Sequence, residues 1–327
     1  MLSPFAIQHL LKHFDSIDRV VSLLLTDARP KNEEYLTANL VDCFDPKMAQ
    51  RVGLEYGIDQ LNADLTEAGE PLSVDYRIEV HQYTKEYESL VSQADLGLVI
   101  KYVDNYNPQF STRRSWLLQA KRLYPDSPSF SYSVDSKFMA MNTKQEAQIS
   151  ELMNAITTDF FRYLLYCPRP EHTPTETRME LAYLRGSTLG GEIFDFAYGL
   201  ELRDDLRCGA PTVAAGIFLS PVDAKPSNLG ETHKNLFSTT TPLSWFLIQH
   251  IPHAGRYTPH RGHFRYYDPH DHNEIIERIV QGDATVANDI AKHLKNEAWN
   301  GRVLPAATLE LTISMGPRNA RERRRKD

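Results

Sequence analysis

The chain has 327 residues, 41% hydrophobic and 24% charged, which is enough apolar content to bury a sizeable core in one large domain or two smaller ones. No apolar run approaches the ~18 residues that cross a bilayer, and the first residues lack the basic region and cleavage site of a secretory signal, so the expected compartment is the cytoplasm. Net charge is −7, yet Pro317 to Asp327 hold six Arg or Lys against two acids, which leaves residues 1–316 at −11.

Two segments at the start, 1–14 and 16–25, carry apolar residues at helical spacing. Asn32 is placed to cap a helix over 33–44, where Leu36, Leu40, Val41 and Phe44 share a face and Glu33 and Glu34 fall in the first turn. Helical patterning continues to about Ala68. Strands are then expected over 73–83, 95–103 and 115–123, the first from the alternation of Val74, Tyr76, Ile78 and Val80. If the second and third form a hairpin, position 95 stands opposite residues near 120, because their midpoint of 107.5 falls within Asn107-Pro108-Gln109. An amphipathic helix over 144–156 and an apolar strand over 160–168 follow. The remainder is patterned less clearly: a Gly-interrupted stretch at 186–200, strands at 212–220 and 308–314, and a helix near 274–295.

Several chemistries have no support. Cys43, Cys167 and Cys208 lie far apart with no CxxC, against a zinc ribbon or a disulfide framework. There is no GxxxxGK[ST], no GxGxxG between a strand and a helix, and no GxSxG. The segment from His250 to His272 concentrates His, Asp, Arg and Tyr, but its spacing fits no zinc finger and no HExxH. Core packing, nucleic-acid contact and a structural metal all stay open there. The basic tail is read as a solvated end or a phosphate-seeking arm.

One constellation does suggest chemistry. Hydrolysis of a phosphodiester calls for carboxylates that hold a divalent cation and for a cation that orients water or steadies developing charge. Asp95 opening one strand and Lys121 on its neighbour supply one of each. Gln119 and Lys121, two apart, project to one face of the sheet with Leu117, while Trp116, Leu118 and Ala120 turn to the other.

The run Tyr83-Thr84-Lys85, Glu88 and Ala94-Asp95, followed by Gln119-Ala120-Lys121, resembles the PD-(D/E)XK, or restriction-endonuclease-like, nuclease superfamily in its QxK variant, as in Mrr-like endonucleases. The likeness covers roughly the first half of the chain, and Gln93 stands where a Gly is often found. It implies an α/β fold with a mixed central sheet flanked by helices: a nuclease core at 32–168, an N-terminal helical extension at 1–31, a C-terminal α/β elaboration at 169–316 and the tail at 317–327. It further implies that Asp95 is a metal ligand, Lys121 the catalytic lysine and Gln119 the occupant of the second-acid position. A second carboxylate is then wanted, from Glu33, Glu34 or Glu88, with the Ala120 backbone carbonyl completing a Mg²⁺ or Mn²⁺ site. The activity so implied is cleavage of double-stranded DNA, in restriction or anti-phage defence, by a homodimer or with a partner protein. The alternative is a nuclease fold that binds nucleic acid or a partner without cutting.

Overall fold

The computed structural model describes residues 3–27, 31–82, 96–126, 131–138, 149–150, 153, 160–189, 213–251, 274–286, 289 and 304–317. Asp95, Glu88, most of the expected helix over 144–156, the His-rich segment beyond Ile251 and the tail beyond Pro317 lie outside them.

The first helix, α1, runs unbroken over Pro4–Leu23, where the sequence suggested two. Ser3 caps it by accepting the Ala6 N–H at 3.0 Å, and Pro4 sits where a missing N–H costs nothing. Its acids Asp15 and Asp18 are satisfied across the fold. Asp15 and Asp18 both accept from the fully buried Arg169, at 2.9 and 2.6 Å. Asp18 also accepts the backbone N–H groups of Gly216 and Ile217. Burial by itself would lower the Arg169 pKa; Asp18 and Asp15 more than reverse that and hold it above its ordinary value.

Helix α2 is Glu33–Phe44, and Asn32 caps it as the sequence indicated, accepting the Tyr35 N–H at 2.9 Å. Two shorter helices follow, α3 at Pro46–Ala49 and α4 at Ile58–Glu67. Strands β1 (Leu72–Val80), β2 (Leu96–Asp104) and β3 (Thr112–Arg122) fall close to the expected positions, with β3 beginning three residues earlier than predicted. Then come β4 (Phe161–Tyr166), α5 (Thr175–Leu189), β5 (Ile217–Pro221), α6 (Leu229–Lys234), β6 (Thr241–Pro242), α7 (Leu243–Gln249), α8 (Glu274–Val280) and β7 (Ala307–Met315). The long helix α5 had no clear signal, since its exposed Met179 and Tyr183 blur the apolar stripe. No helix among the described residues is long and apolar enough to cross a membrane.

The strands form one mixed seven-stranded sheet in the order β1-β7-β2-β3-β4-β5-β6. The C-terminal strand β7 lies between β1 and β2, antiparallel to the first and parallel to the second, so the sheet joins distant parts of the chain. Edge strand β1 is guarded by Asn62 of α4, whose amide pairs with both the N–H and the C=O of Val74 at 2.9 Å. Leu98, Trp116, Leu118, Ala120 and Leu311 point to one face, where α1, α2, α4 and α7 build the main core. Val99, Leu117 and Phe161 point to the other, against Ile276, Ile279 and Val280 of α8. Strand β2 is therefore apolar on both faces, which explains why its sequence does not alternate.

Candidate active site

At the C-terminal end of β3, Gln119 and Lys121 leave the sheet on the face shared with Leu117, as strand periodicity requires. Gln119 is 3% exposed and the Lys121 side chain 12% exposed, so neither is an ordinary solvated surface group. Ala120 between them is fully buried and lies opposite Leu164 of β4. Parallel pairing sets Tyr163 beside Gln119 and Leu165 beside Lys121.

Glu33 reaches this strand end from the first turn of α2. Its Oε1 accepts the Arg122 backbone N–H at 3.0 Å, and its Oε2 lies 3.8 Å from Lys121 Nζ. A second tie reinforces the first: the Arg122 guanidinium donates to the Lys31 carbonyl at 2.5 Å and stacks over Tyr124 at 4.0 Å. A carboxylate is favoured at any helix N-terminus, yet here the helix is anchored so that this carboxylate faces the lysine. The sequence could not separate Glu33 from Glu34. Glu34 is exposed and accepts from the Asn32 amide at 3.4 Å.

Asp95 and Glu88 lie outside the described residues. The ladder is described up to Leu96, which pairs with Leu118, and Asp95 is bonded to Leu96. From there to Tyr102 opposite Thr112 the hairpin is centred on Asn107, half a residue from the midpoint drawn from the sequence. The opening of β2 is unusually close to its neighbours. A Cβ at Gly97 would stand 2.7 Å from the Val280 carbonyl oxygen and 2.9 Å from Thr308 Oγ1, so only glycine lets the end of α8 settle there. Thr308 donates its hydroxyl to that Val280 carbonyl, and its oxygen lies 2.7 Å from His81 Nε2. With its hydroxyl proton so used, Thr308 accepts from His81, which is then the Nε2–H tautomer. Burial lowers the His81 pKa, which suits this neutral form. Nothing in the sequence flagged His81, because strand order alone brings it to the opening of β2.

His250, the first residue of the His-rich segment, packs in the core with its ring 4.4 Å from Trp116 and 4.6 Å from Phe246. Burial drives its pKa well down, and Arg114 and Arg162 push it further. The core-packing reading holds for that residue; the others in the segment lie outside the described residues.

The donor types here are those a hard divalent cation takes: the Glu33 carboxylate and the Ala120 carbonyl would offer oxygen, and an aspartate would be the natural third. No group of three His, Cys, Asp or Glu side chains suited to a metal occurs among the described residues, so the set would need Asp95. Comparison of the chain with models of protein families, with curated proteins and with solved structures finds no match.

Proposed function

We propose that this chain is a metal-dependent nuclease with a restriction-endonuclease-like core, hydrolysing phosphodiester bonds in DNA. The observation that carries the reading is the approach of Glu33 Oε2 to within 3.8 Å of Lys121 Nζ. An acid from a helix that precedes the sheet meets the lysine of the QxK tripeptide, although 87 residues separate them. Asp95, Glu33 and the Ala120 carbonyl would hold Mg²⁺ or Mn²⁺, which supplies Lewis acidity toward a phosphate oxygen. Lys121, as an ammonium, donates hydrogen bonds that would orient the attacking water or steady the phosphate oxygen as charge develops. Gln119, neutral and buried on the same face, fills the second-acid position by its amide oxygen. Glu33 keeps Lys121 oriented between turnovers. Restriction or anti-phage defence, with a homodimer or a partner protein acting on duplex DNA, is the setting in which such a site is expected.

A second reading has its own observation. Both Glu33 oxygens are already engaged, one by the Arg122 N–H and the other by Lys121. Such a carboxylate can be a strut, and the fold would then bind nucleic acid or a partner without cutting. Cleavage of supercoiled and linear DNA with Mg²⁺, Mn²⁺ or EDTA, alongside Asp95→Ala and Lys121→Ala, separates the two. Metal-dependent nicking lost in both variants is the expected result. Absence of both cleavage and metal binding in the parent chain would favour the binding module.

A further inference from the structure

Strand β1 ends the sheet on one side, and its outer edge is covered only at its start. Asn62 takes both backbone groups of Val74, so Val74 is directed outward. By the alternation of an antiparallel ladder, so are Tyr76, Ile78 and Val80. The backbone N–H of His81 donates inward to the Ala306 carbonyl at 3.0 Å, in the same phase. The Tyr76 N–H has a local acceptor in the Asp75 carboxylate at 3.1 Å, which a neighbouring strand would replace. Among the described residues nothing meets the outward backbone groups of Ile78 and Val80. Side chains do not hide this stretch either: Val80 is 71% exposed, and the side chains of Arg77 and Glu79 are 74% and 54% exposed. An open strand edge of this kind is a template for another strand.

The charges along the edge select which strand. A second copy laid antiparallel along β1, with Ile78 opposite Ile78, places a two-fold axis between them. Arg77 then stands opposite Glu79 of the second copy, and Glu79 opposite its Arg77. On the other face Tyr76 meets Val80, an aromatic residue against a β-branched one, and such pairs are favourable across strands. The outward groups of Tyr76, Ile78 and Val80 supply the backbone bonds, and Ile78 is the centre of the stretch that Asn62 leaves open. Sliding the second strand by one side-chain repeat sets Arg77 against Arg77 in one direction and Glu79 against Glu79 in the other, and a parallel in-register pair does both. We propose that two copies of this chain associate through β1, joining their sheets edge to edge in the register that opposes Arg77 to Glu79. The interface stands on this edge alone and does not depend on whether Lys121 acts in hydrolysis.

Sedimentation equilibrium of the full chain over a range of concentrations measures the association, and a monomer–dimer equilibrium is expected. Arg77→Glu and Glu79→Arg each set like charges across the axis and should raise the dimer Kd roughly tenfold. Mixed together, the two variants oppose acids to bases again, so the mixture should recover the association that each has lost alone. Recovery on mixing is a result that misfolding of either variant does not produce. A parent chain that stays monomeric at every attainable concentration overturns the proposal and leaves the edge to an extended segment of another protein. A dimer that both substitutions leave as tight as before, or a mixture that recovers nothing, overturns it as well.

Discussion

Two acid–base contacts join the N-terminal helices to the sheet, and they differ in what surrounds them. In the first, Arg169 is fully buried and Asp18 nearly so, the shortest contact is 2.6 Å, and two backbone N–H groups complete the Asp18 carboxylate. In the second, Lys121 and Glu33 stand 3.8 Å apart, with side chains 12% and 26% exposed. The first pairs its charges inside the fold and works as a rivet between α1, the chain leaving β4 and the start of β5. The second has an ammonium held loosely at a strand end, within reach of solvent. Similar groups thus serve a structural purpose in one place and remain available for chemistry in the other.

The comparison breaks first at the rivet. Arg169→Met should destabilise the fold by about 3–5 kcal/mol, because it leaves Asp18 buried without its cation. Urea denaturation would measure this, and a loss under about 1 kcal/mol would mean that the backbone N–H groups alone satisfy Asp18.

The parts legible in the sequence were those governed by local periodicity. The Asn32 cap, the three strands around residues 72–122 and the opposed faces of Leu117 and Leu118 follow from spacing alone. The continuity of α1 did not, because the apolar spacing lapses at Asp15, whose partner Arg169 lies about 150 positions away. The insertion of β7 between β1 and β2 is likewise a long-range pairing with no local signature. At the site, the sequence put Glu33 first with Glu34 and Glu88 left open, and the anchoring of α2 through Arg122 separates Glu33 from Glu34.

A second rivet on α1 is sensitive to pH. His13 lies 2.7 Å from the Tyr56 carbonyl and 2.8 Å from the Tyr76 hydroxyl, so Nδ1–H donates to the first and Nε2 accepts from the second. Burial lowers its pKa from 6.5 to about 4, against the raising effect of the Tyr56 carbonyl. A base depressed in the folded state adds stability that is complete above pH 6.5 and lost as pH falls toward 4. The share is about 3 kcal/mol. Stability measured from pH 7 to pH 4 should fall, and His13→Gln should flatten the slope by removing that share. An unchanged slope would assign the acid sensitivity to other groups, the buried His233 and His250 among them.

The smallest stability effect belongs to the candidate site, and its smallness sharpens the contrast. A partly exposed ion pair at 3.8 Å is worth about 0–1 kcal/mol, since solvent screens it and the lysine gives up side-chain freedom to form it. Lys121→Ala should therefore shift the urea midpoint little. Glu33→Gln retains an acceptor for the Arg122 N–H and should also leave stability nearly unchanged, while Glu34→Gln, altering an exposed neighbour, serves as the control. If the site hydrolyses phosphodiesters, Lys121→Ala and Glu33→Gln lose cleavage at intact stability and Glu34→Gln retains it. A drop of several kcal/mol in Glu33→Gln would instead make Glu33 a strut between α2 and β3, and the two contacts would then differ in exposure but not in purpose.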